Sequence, residues 1–367
     1  MKIIFIFDFL APNDARKYLV DEIMFLRSQS IDARVVTLGK EDMSNTLYSD
    51  ALFSRETFAC VPIPKLWKFS DWKKLKKYLE DEHPDLIITC DAKADVVARI
   101  AARLSRIPMK VFVFAHNVSD IAKRTKFYDD VLSHVTDYYI VTSEVAKIAL
   151  SKMEVSPKKI AVLPDGISLE KYGLPPSRDI RAEYGIAPDE FVFIFLGDLI
   201  PSKNVPVLLR AMEKIPVGRL LIVGDGREKA ALKELSSSLG LSDRVIFEDS
   251  TLDVANLLMV SNAMVLPSKT DERLPLSVIL GLYSGLPVIT TELPGISELV
   301  KDRENGLIVR QQDSVELSRA MVELMTNGEL YAKLKANAPK DLEKYSVSAH
   351  AVKLLTLFQE KQQSTNK

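Results

Sequence analysis

Two loops of this sequence carry groups that could bind an anion. The first is the charged segment Ser268–Arg273, which follows the apolar run Ala263–Leu266 and leads through Pro275 into an apolar helix predicted over Leu276–Tyr283. A loop that leaves a parallel strand and enters a helix directs backbone N–H groups and the positive end of the helix dipole toward a ligand. We therefore expect an anionic group to bind at this helix start.

The second loop contains Lys203, which follows the strand-ending Gly197-Asp198-Leu199 and precedes a predicted helix over Val205–Lys214. A lysine in this position provides a point charge for a phosphate, although it can equally be a solvated side chain in a loop that opens a helix. The turn Gly224-Asp225-Gly226 precedes a helix predicted over Arg227–Ser238 and lacks the third glycine of a dinucleotide-binding fingerprint. The residues alone leave both interpretations of Lys203 open.

The elements that must position these loops alternate between strand and helix along the whole chain. This alternation predicts an α/β protein with parallel, doubly wound sheets. The Gly- and Pro-containing segment Lys171–Asp179 interrupts the pattern, which then starts again, and it reads as a hinge between two sheets. Two such sheets are expected to face each other across a ligand-binding cleft.

Length and composition agree with two domains and restrict the function. The chain has 367 residues and a net charge of −1, from 49 Lys and Arg against 50 Asp and Glu, so we expect no nucleic-acid partner. Cys60 and Cys90 are the only two cysteines, which favours a reducing compartment. No window reaches the roughly 18 uninterrupted apolar residues of a membrane span, so we expect a cytoplasmic protein.

The segment from Leu266 to Arg310 also resembles a known signature. Pro267-Ser268, Glu272 and Gly285-Leu286-Pro287-Val288-Ile289 stand in the register of the donor-sugar motif of the retaining family 4 glycosyltransferases, also called glycosyl transferases group 1. The resemblance implies the GT-B fold, with Rossmann-like domains at 1–173 on the acceptor side and 174–345 on the nucleotide-sugar donor side. A C-terminal helix within 346–367 is then expected to cross back to the first domain.

The resemblance also implies roles for donor-site residues. Glu272 corresponds to the catalytic-site glutamate that hydrogen-bonds the donor sugar, although the residues alone also allow a solvated acid. Gly197 and Lys203 correspond to the diphosphate-binding loop, and the backbone amides near Leu274 and Leu276 are further phosphate donors. Two positions depart from the pattern: Asp198 replaces an arginine that grips the diphosphate, and Leu280 replaces a second glutamate that holds the ribose. At both positions the side chain lacks the group that the family uses to bind the nucleotide.

In the first domain the resemblance selects two loops. His116 and Asn117 follow a predicted strand as the family's His-Asn pair does, and the resemblance implies that His116 approaches the donor sugar as a second catalytic-site residue. A lone histidine is more often structural. Asn13 and Asp14 stand where the family has a Gly-Gly loop, and together with Asn117 they are the residues expected on the acceptor side.

The resemblance therefore implies a retaining, hexosyltransferase-type enzyme that moves a sugar from a nucleotide diphosphate sugar to a hydroxyl of a glycan or lipid-linked acceptor. It implies no cofactor and no metal. The three departures motivate an alternative, a non-catalytic homologue that regulates or scaffolds a glycosylation complex.

Two basic aromatic segments, Lys65–Lys77 and Lys123–Tyr128, add a further expectation. Such segments let an enzyme rest on the anionic face of a membrane, where each Lys or Arg contributes about 1 kcal/mol. In the other interpretation Trp72, Leu75 and Leu79 face the sheet and the lysines only solvate the outer side of a helix. The second interpretation is the preferred one.

Overall fold

The computed structural model describes residues 1–8, 17–39, 57–63, 69–105, 107–114, 132–153, 155–172, 178–249, 253–270 and 275–365. The chain divides into two units. Unit 1 comprises Met1–Ser168 together with Lys344–Lys367, and unit 2 comprises Leu169–Glu343. Each unit is built around one parallel sheet, as the alternating pattern predicts.

Unit 1 contains a seven-stranded sheet in the order β3-β2-β1-β4-β5-β6-β7 with every pair parallel. Its strands are β1 (Lys2–Phe7), β2 (Asp32–Thr37), β3 (Phe58–Cys60), β4 (Leu86–Thr89), β5 (Lys110–Phe114), β6 (Tyr138–Val141) and β7 (Ile160–Val162). Its helices are α1 (Lys17–Ser28), α2 (Phe69–Glu82), α3 (Ala92–Leu104), α4 (Glu144–Ser151) and, from the end of the chain, α13 (Val347–Thr365).

Alternation along β1 shows how the helices cover both faces of this sheet. Ile3, Phe5 and Phe7 pack with buried residues of α1 and α13, whereas Ile4 and Ile6 pack with buried residues of α2 and α3. Successive side chains of a strand point to opposite faces, so a strand buried on both sides must be apolar throughout. The resulting two-sided core accounts for the continuous apolar run near the start of the sequence.

Helix α2 bears on the predicted membrane contact. Leu75 and Leu79 are buried in the core cluster, Trp72 packs against it, and Lys73 and Lys74 are exposed. This orientation confirms that the apolar residues of α2 face the sheet while these two lysines lie on its outer side. Contact with a membrane stays a prediction, since residues 64–68 and the whole segment Lys123–Tyr128 lie outside the described residues. No helix in the described ranges has the length and apolar content that a bilayer span requires.

Unit 2 contains a six-stranded parallel sheet in the order β10-β9-β8-β11-β12-β13. Its strands are β8 (Val192–Leu196), β9 (Arg219–Val223), β10 (Val245–Glu248), β11 (Ala263–Leu266), β12 (Val288–Thr291) and β13 (Gly306–Val309). Its helices are α5 (Ile180–Glu183), α6 (Val205–Glu213), α7 (Lys229–Ser238), α8 (Val254–Val260), α9 (Leu276–Tyr283), α10 (Pro294–Ser297), α11 (Ser314–Thr326) and α12 (Gly328–Asn337).

The strand order places the predicted ligand loops side by side. From β8 the chain moves outward to β9 and β10, and it then returns to β11 on the other side of β8. The loops after β8 and β11 therefore diverge from neighbouring strands, and such a switch point is where open α/β sheets bind ligands. Unit 1 has the same arrangement at β1 and β4.

Candidate functional site

The loop after β8 contains three of the predicted site residues. Gly197 and Asp198 end the strand, and a single 3-10 turn over Pro201–Lys203 leads into α6. Asp198 is exposed. The Lys203 side chain lies along the strand end, with its Cε 3.8 Å from the position that a Cβ on Gly197 would occupy. The loop therefore brings Gly197 and Lys203 together, as the resemblance implies.

Asn204 joins this turn to α6 in a left-handed conformation, with φ 56° and ψ 36°. Asparagine tolerates this region better than most residues because its short polar side chain fits there. Asn204 is only 2% exposed. The backbone therefore reverses direction at Asn204 and leaves the 3-10 turn at the edge of the sheet.

The loop after β9 is bound to the loop after β8 through the backbone. The Leu199 N–H donates to the Asp225 carbonyl oxygen at 2.8 Å, and the Glu228 N–H donates to the Leu199 carbonyl oxygen at 3.0 Å. Gly226 has φ 153°, and a Cβ on it would lie 2.5 Å from the Leu199 oxygen. Only glycine permits this approach, so the Gly-Asp-Gly turn serves to dock one loop on the other.

The loop after β11 is bound to the same turn from the other side. The Lys269 N–H donates to the Ser202 carbonyl oxygen at 2.8 Å. Ser268 is fully buried, and its carbonyl oxygen accepts a hydrogen bond from the Thr291 hydroxyl at 2.7 Å. The two anion-binding loops predicted from the sequence are thus direct neighbours.

A cavity of about 640 Å³ opens between these three loops toward solvent. The described residues that line it are Ile200, Pro201, Ser202, Arg227, Lys269 and Thr270. Neither Arg227 nor Lys269 was selected as a binding residue from the sequence. Arg227 was assigned to a helix and Lys269 to a charged run. The sequence signal that could have identified Arg227 is a basic residue directly after the glycine turn that follows a strand.

Other charged groups at this edge of the sheet have partners within unit 2. Lys229 forms an ion pair with Asp249 and lies 4.0 Å from Asp225. The Tyr184 hydroxyl donates to Glu248 at 2.8 Å, and burial together with this hydrogen bond raises the pKa of Tyr184 to about 12. Asp249 is thus paired with a cation, and Glu248 at the end of β10 accepts a hydrogen bond.

Helix α9 contains two more of the predicted residues. Leu276 is its first residue and is half-buried, and Leu280 lies one turn further along the same side and is 3% exposed. The first N–H groups of a helix have no intrahelical acceptor, so those at the start of α9 can donate to an anion. Leu280 offers only an apolar side chain at the position where the resemblance implies a glutamate.

Six of the predicted site residues lie outside the described residues: Asn13, Asp14, His116, Asn117, Glu272 and Leu274. Their assigned roles therefore stay predictions. Within the described ranges, no group of three or more His, Cys, Asp or Glu side chains is placed to hold a metal ion.

Two protein-family models match the chain. The model described as Glycosyl transferases group 1 matches residues 176–341, and the model described as Glycosyltransferase Family 4 matches residues 15–171. Together the two matches leave only short segments of the chain uncovered.

Individual proteins match over most of their length. A protein from Escherichia coli named UDP-Gal:alpha-D-GlcNAc-diphosphoundecaprenol alpha-1,3-galactosyltransferase is 29% identical over 264 residues, and the match covers 68% of each chain. The structure of HepE from Anabaena in complex with UDP gives a TM-score of 0.84 at 21% identity, covering 98% of this chain and 100% of that one. Its complex with UDP-glucose gives 0.79 at 19%, covering 99% and 100%. These matches confirm the predicted fold.

Proposed function

Since the chain belongs to the family 4 glycosyltransferases of the GT-B fold, we propose that it transfers a hexose from a nucleotide diphosphate sugar to an acceptor hydroxyl with retention of anomeric configuration. The observation that carries this proposal is the cavity at the switch point of unit 2, bordered by the Lys203 turn and by the loop that enters α9. Solved structures of a protein with the same fold contain UDP and UDP-glucose, which supports a uridine nucleotide as the donor.

The chain's own groups can stabilise the departing diphosphate. Lys203 supplies a positive charge, and the amides at the start of α9 supply hydrogen bonds and the positive end of a helix dipole. In this proposal Glu272 and His116 are catalytic-site residues that act on the donor sugar, and no metal or cofactor takes part. Preorganised donors of this kind act on charge that develops as the sugar–phosphate bond breaks.

A lipid-linked acceptor fits the proposal best. The Escherichia coli relative is named for an acceptor sugar carried on diphosphoundecaprenol. Such an acceptor places the reaction at a membrane surface, where the exposed Lys73 and Lys74 of α2 would contact anionic headgroups. Flotation with vesicles that contain anionic phospholipid tests this part. Binding that survives Lys73→Glu/Lys74→Glu would remove α2 from the proposed contact.

Calorimetric titration with UDP, GDP and ADP tests the donor. We expect one nucleotide to bind with roughly millimolar or better affinity and Lys203→Ala to weaken it at least tenfold. Lys214→Ala, at an exposed lysine just beyond α6, is the matched control. If none of the nucleotides bound, the donor assignment would be wrong.

Turnover separates the enzyme from the non-catalytic alternative that Asp198 and Leu280 motivated. The glycosyltransferase names of the relatives do not favour that alternative. We expect slow release of UDP from UDP-glucose or UDP-galactose, and proton NMR at early times should detect the released sugar first as the α-anomer. Nucleotide binding without release of UDP, in the presence of lipid-linked acceptors, would favour the scaffold. Early β-anomer would contradict retention.

A further inference from the structure

Arg227 and Lys269 are the basic residues among the described lining of the cavity at the switch point of unit 2. Both line the cavity, Arg227 from the loop after β9 and Lys269 from the loop after β11. Neither the Arg227 guanidinium nor the Lys269 ammonium has an acidic or hydrogen-bonding partner among the described residues. By contrast, the neighbouring Lys229 is neutralised by Asp249. Among the described residues, the cavity thus presents two basic side chains without an ion-pair partner.

The backbone fixes where Arg227 must lie. Asp225 and Glu228, on either side of it, both hydrogen-bond to the main chain of Leu199. Arg227 is therefore held beside the strand end at which Asp198 stands. Gly226 permits this contact, because any side chain there would collide with the Leu199 carbonyl group. The position of Arg227 next to the diphosphate loop is built into the fold.

We propose that Arg227 and Lys269 bind the phosphates of the donor, so that the next loop supplies the positive charge that Asp198 does not. The inference rests on the proposed function, because it concerns the same site. An arginine forms two parallel hydrogen bonds to phosphate oxygens, and a lysine adds a point charge from the opposite side of the cavity. In this chain the phosphate subsite is thus formed by three loops, of which the one that contains Lys203 follows the middle strand, β8.

Calorimetric titration of the full chain with inorganic pyrophosphate, UDP and uridine tests the subsite. We expect Arg227→Ala and Lys269→Ala each to weaken UDP and pyrophosphate roughly tenfold or more, because each removes a charge-assisted contact. Uridine, which lacks phosphate, should be unaffected. Arg227→Lys keeps the charge but loses the paired hydrogen bonds, so its affinity for both ligands should lie between those of the unchanged protein and Arg227→Ala. Arg210→Ala and Lys214→Ala remove exposed cations of unit 2 outside the cavity and are the matched controls.

The outcomes separate this inference from the proposed function. If UDP binds and neither variant differs from its control, the subsite assignment is overturned and the donor proposal stands. If UDP does not bind but pyrophosphate binds in an Arg227-dependent way, the subsite stands and the nucleotide donor is wrong. If neither ligand binds, both are wrong. Both side chains reach solvent, so thermal unfolding should show native stability in every variant.

Discussion

The two sheets have the same switch-point topology but arrange charge there in opposite ways. In unit 1 the Asp91 carboxylate after β4 accepts a hydrogen bond from the Asp8 backbone N–H after β1 at 2.5 Å, and Lys93 pairs with Asp8 at 2.5 Å. In unit 2, Arg227 and Lys269 reach the cavity without such partners among the described residues. Charges paired inside the chain contribute to stability, whereas charges left without partners are available to a ligand.

Unit 1 extends the same pairing into its core. Arg99 on α3 is fully buried and lies 2.6 Å from Asp95, and its guanidinium also donates to the Tyr139 hydroxyl at 3.3 Å. Between the first and last helices, Glu22 of α1 lies 3.1 Å from His350 of α13. Through Tyr139 and Glu22, respectively, Arg99 and His350 each connect two elements of unit 1, and the comparison predicts that loss of these contacts changes stability rather than ligand binding.

The largest effect should follow from Asp95→Ala. The substitution leaves the Arg99 charge buried without its carboxylate, and breaking a buried pair in this way costs about 3–5 kcal/mol. Urea unfolding monitored by circular dichroism measures the loss. Glu80→Ala breaks the half-exposed Lys76–Glu80 pair of the same helical spacing and should cost no more than about 1 kcal/mol. Equal losses in the two variants would show that burial does not set the strength of these pairs.

The Glu22–His350 pair should make stability depend on pH. Burial lowers the pKa of His350, but Glu22, the Pro164 carbonyl oxygen that accepts from Nδ1 at 2.7 Å and Asp165 outweigh it, so the pKa is raised. Protonated His350 therefore stabilises the protein fully at pH values below its unfolded-state pKa of about 6.5. This contribution is lost as the pH rises through the higher folded-state pKa.

Glu22→Gln should therefore destabilise the protein by about 1–3 kcal/mol near pH 6 and by less near pH 9. Urea unfolding at several pH values measures the difference, with Glu144→Gln at an exposed carboxylate of α4 as the control. A deficit that stayed constant over this range would contradict a charged His350.

A smaller loss of stability is expected at the switch point of unit 1, between the loops after β1 and β4. Asp91 caps α3 through Ala94 N–H at 2.9 Å and also holds the Asp8 backbone, so Asp91→Ala removes two hydrogen bonds. We expect a loss of about 1–2 kcal/mol in urea unfolding. Ser143→Ala removes a cap of α4 that makes one such bond, to Ala146, and should cost less. If the order were reversed, the contact between the β1 and β4 loops would add nothing to stability.

The sequence predicted the elements that position the site much better than the site itself. The predicted bounds of β11 and α9 are those observed, since Pro267, Pro275 and Gly285 delimit apolar runs of distinct length. At the end of the chain a helix was expected within 346–367, and the observed helix spans Val347–Thr365, because even its polar end contains residues with adequate helix propensity.

Site residues whose position depends on tertiary contacts were not predicted. A helix was predicted from Arg227, but α7 begins at Lys229, because the two residues before it are drawn toward Leu199 by the Glu228 hydrogen bond and the Gly226 approach. The local sequence pattern does not show that β9 lies beside β8. Asp198, Lys203 and Leu280 can be read directly from the sequence as residue types. The proposed replacement of the family's arginine at position 198 by Arg227, on the next loop, cannot be read in this way.

The smallest predicted effect concerns Asp198 in unit 2, where a change of charge should alter ligand binding rather than stability. Asp198 is exposed beside the Lys203 turn, so Asp198→Arg should tighten UDP binding about three- to tenfold while changing stability by no more than about 0.5 kcal/mol. Calorimetry measures the affinity, and the gain should shrink at high salt because screening weakens exposed charges.

Asp189→Arg changes an exposed charge at the amino end of β8, away from the cavity-lining residues, and is the control. Asp198→Asn should give about half of the gain in binding free energy, because it removes the negative charge without adding a positive one. An affinity unchanged in Asp198→Arg would mean that residue 198 faces away from the phosphates. Arg227 would then bind the diphosphate without opposition from a neighbouring carboxylate, and the departure at position 198 would cost the site nothing.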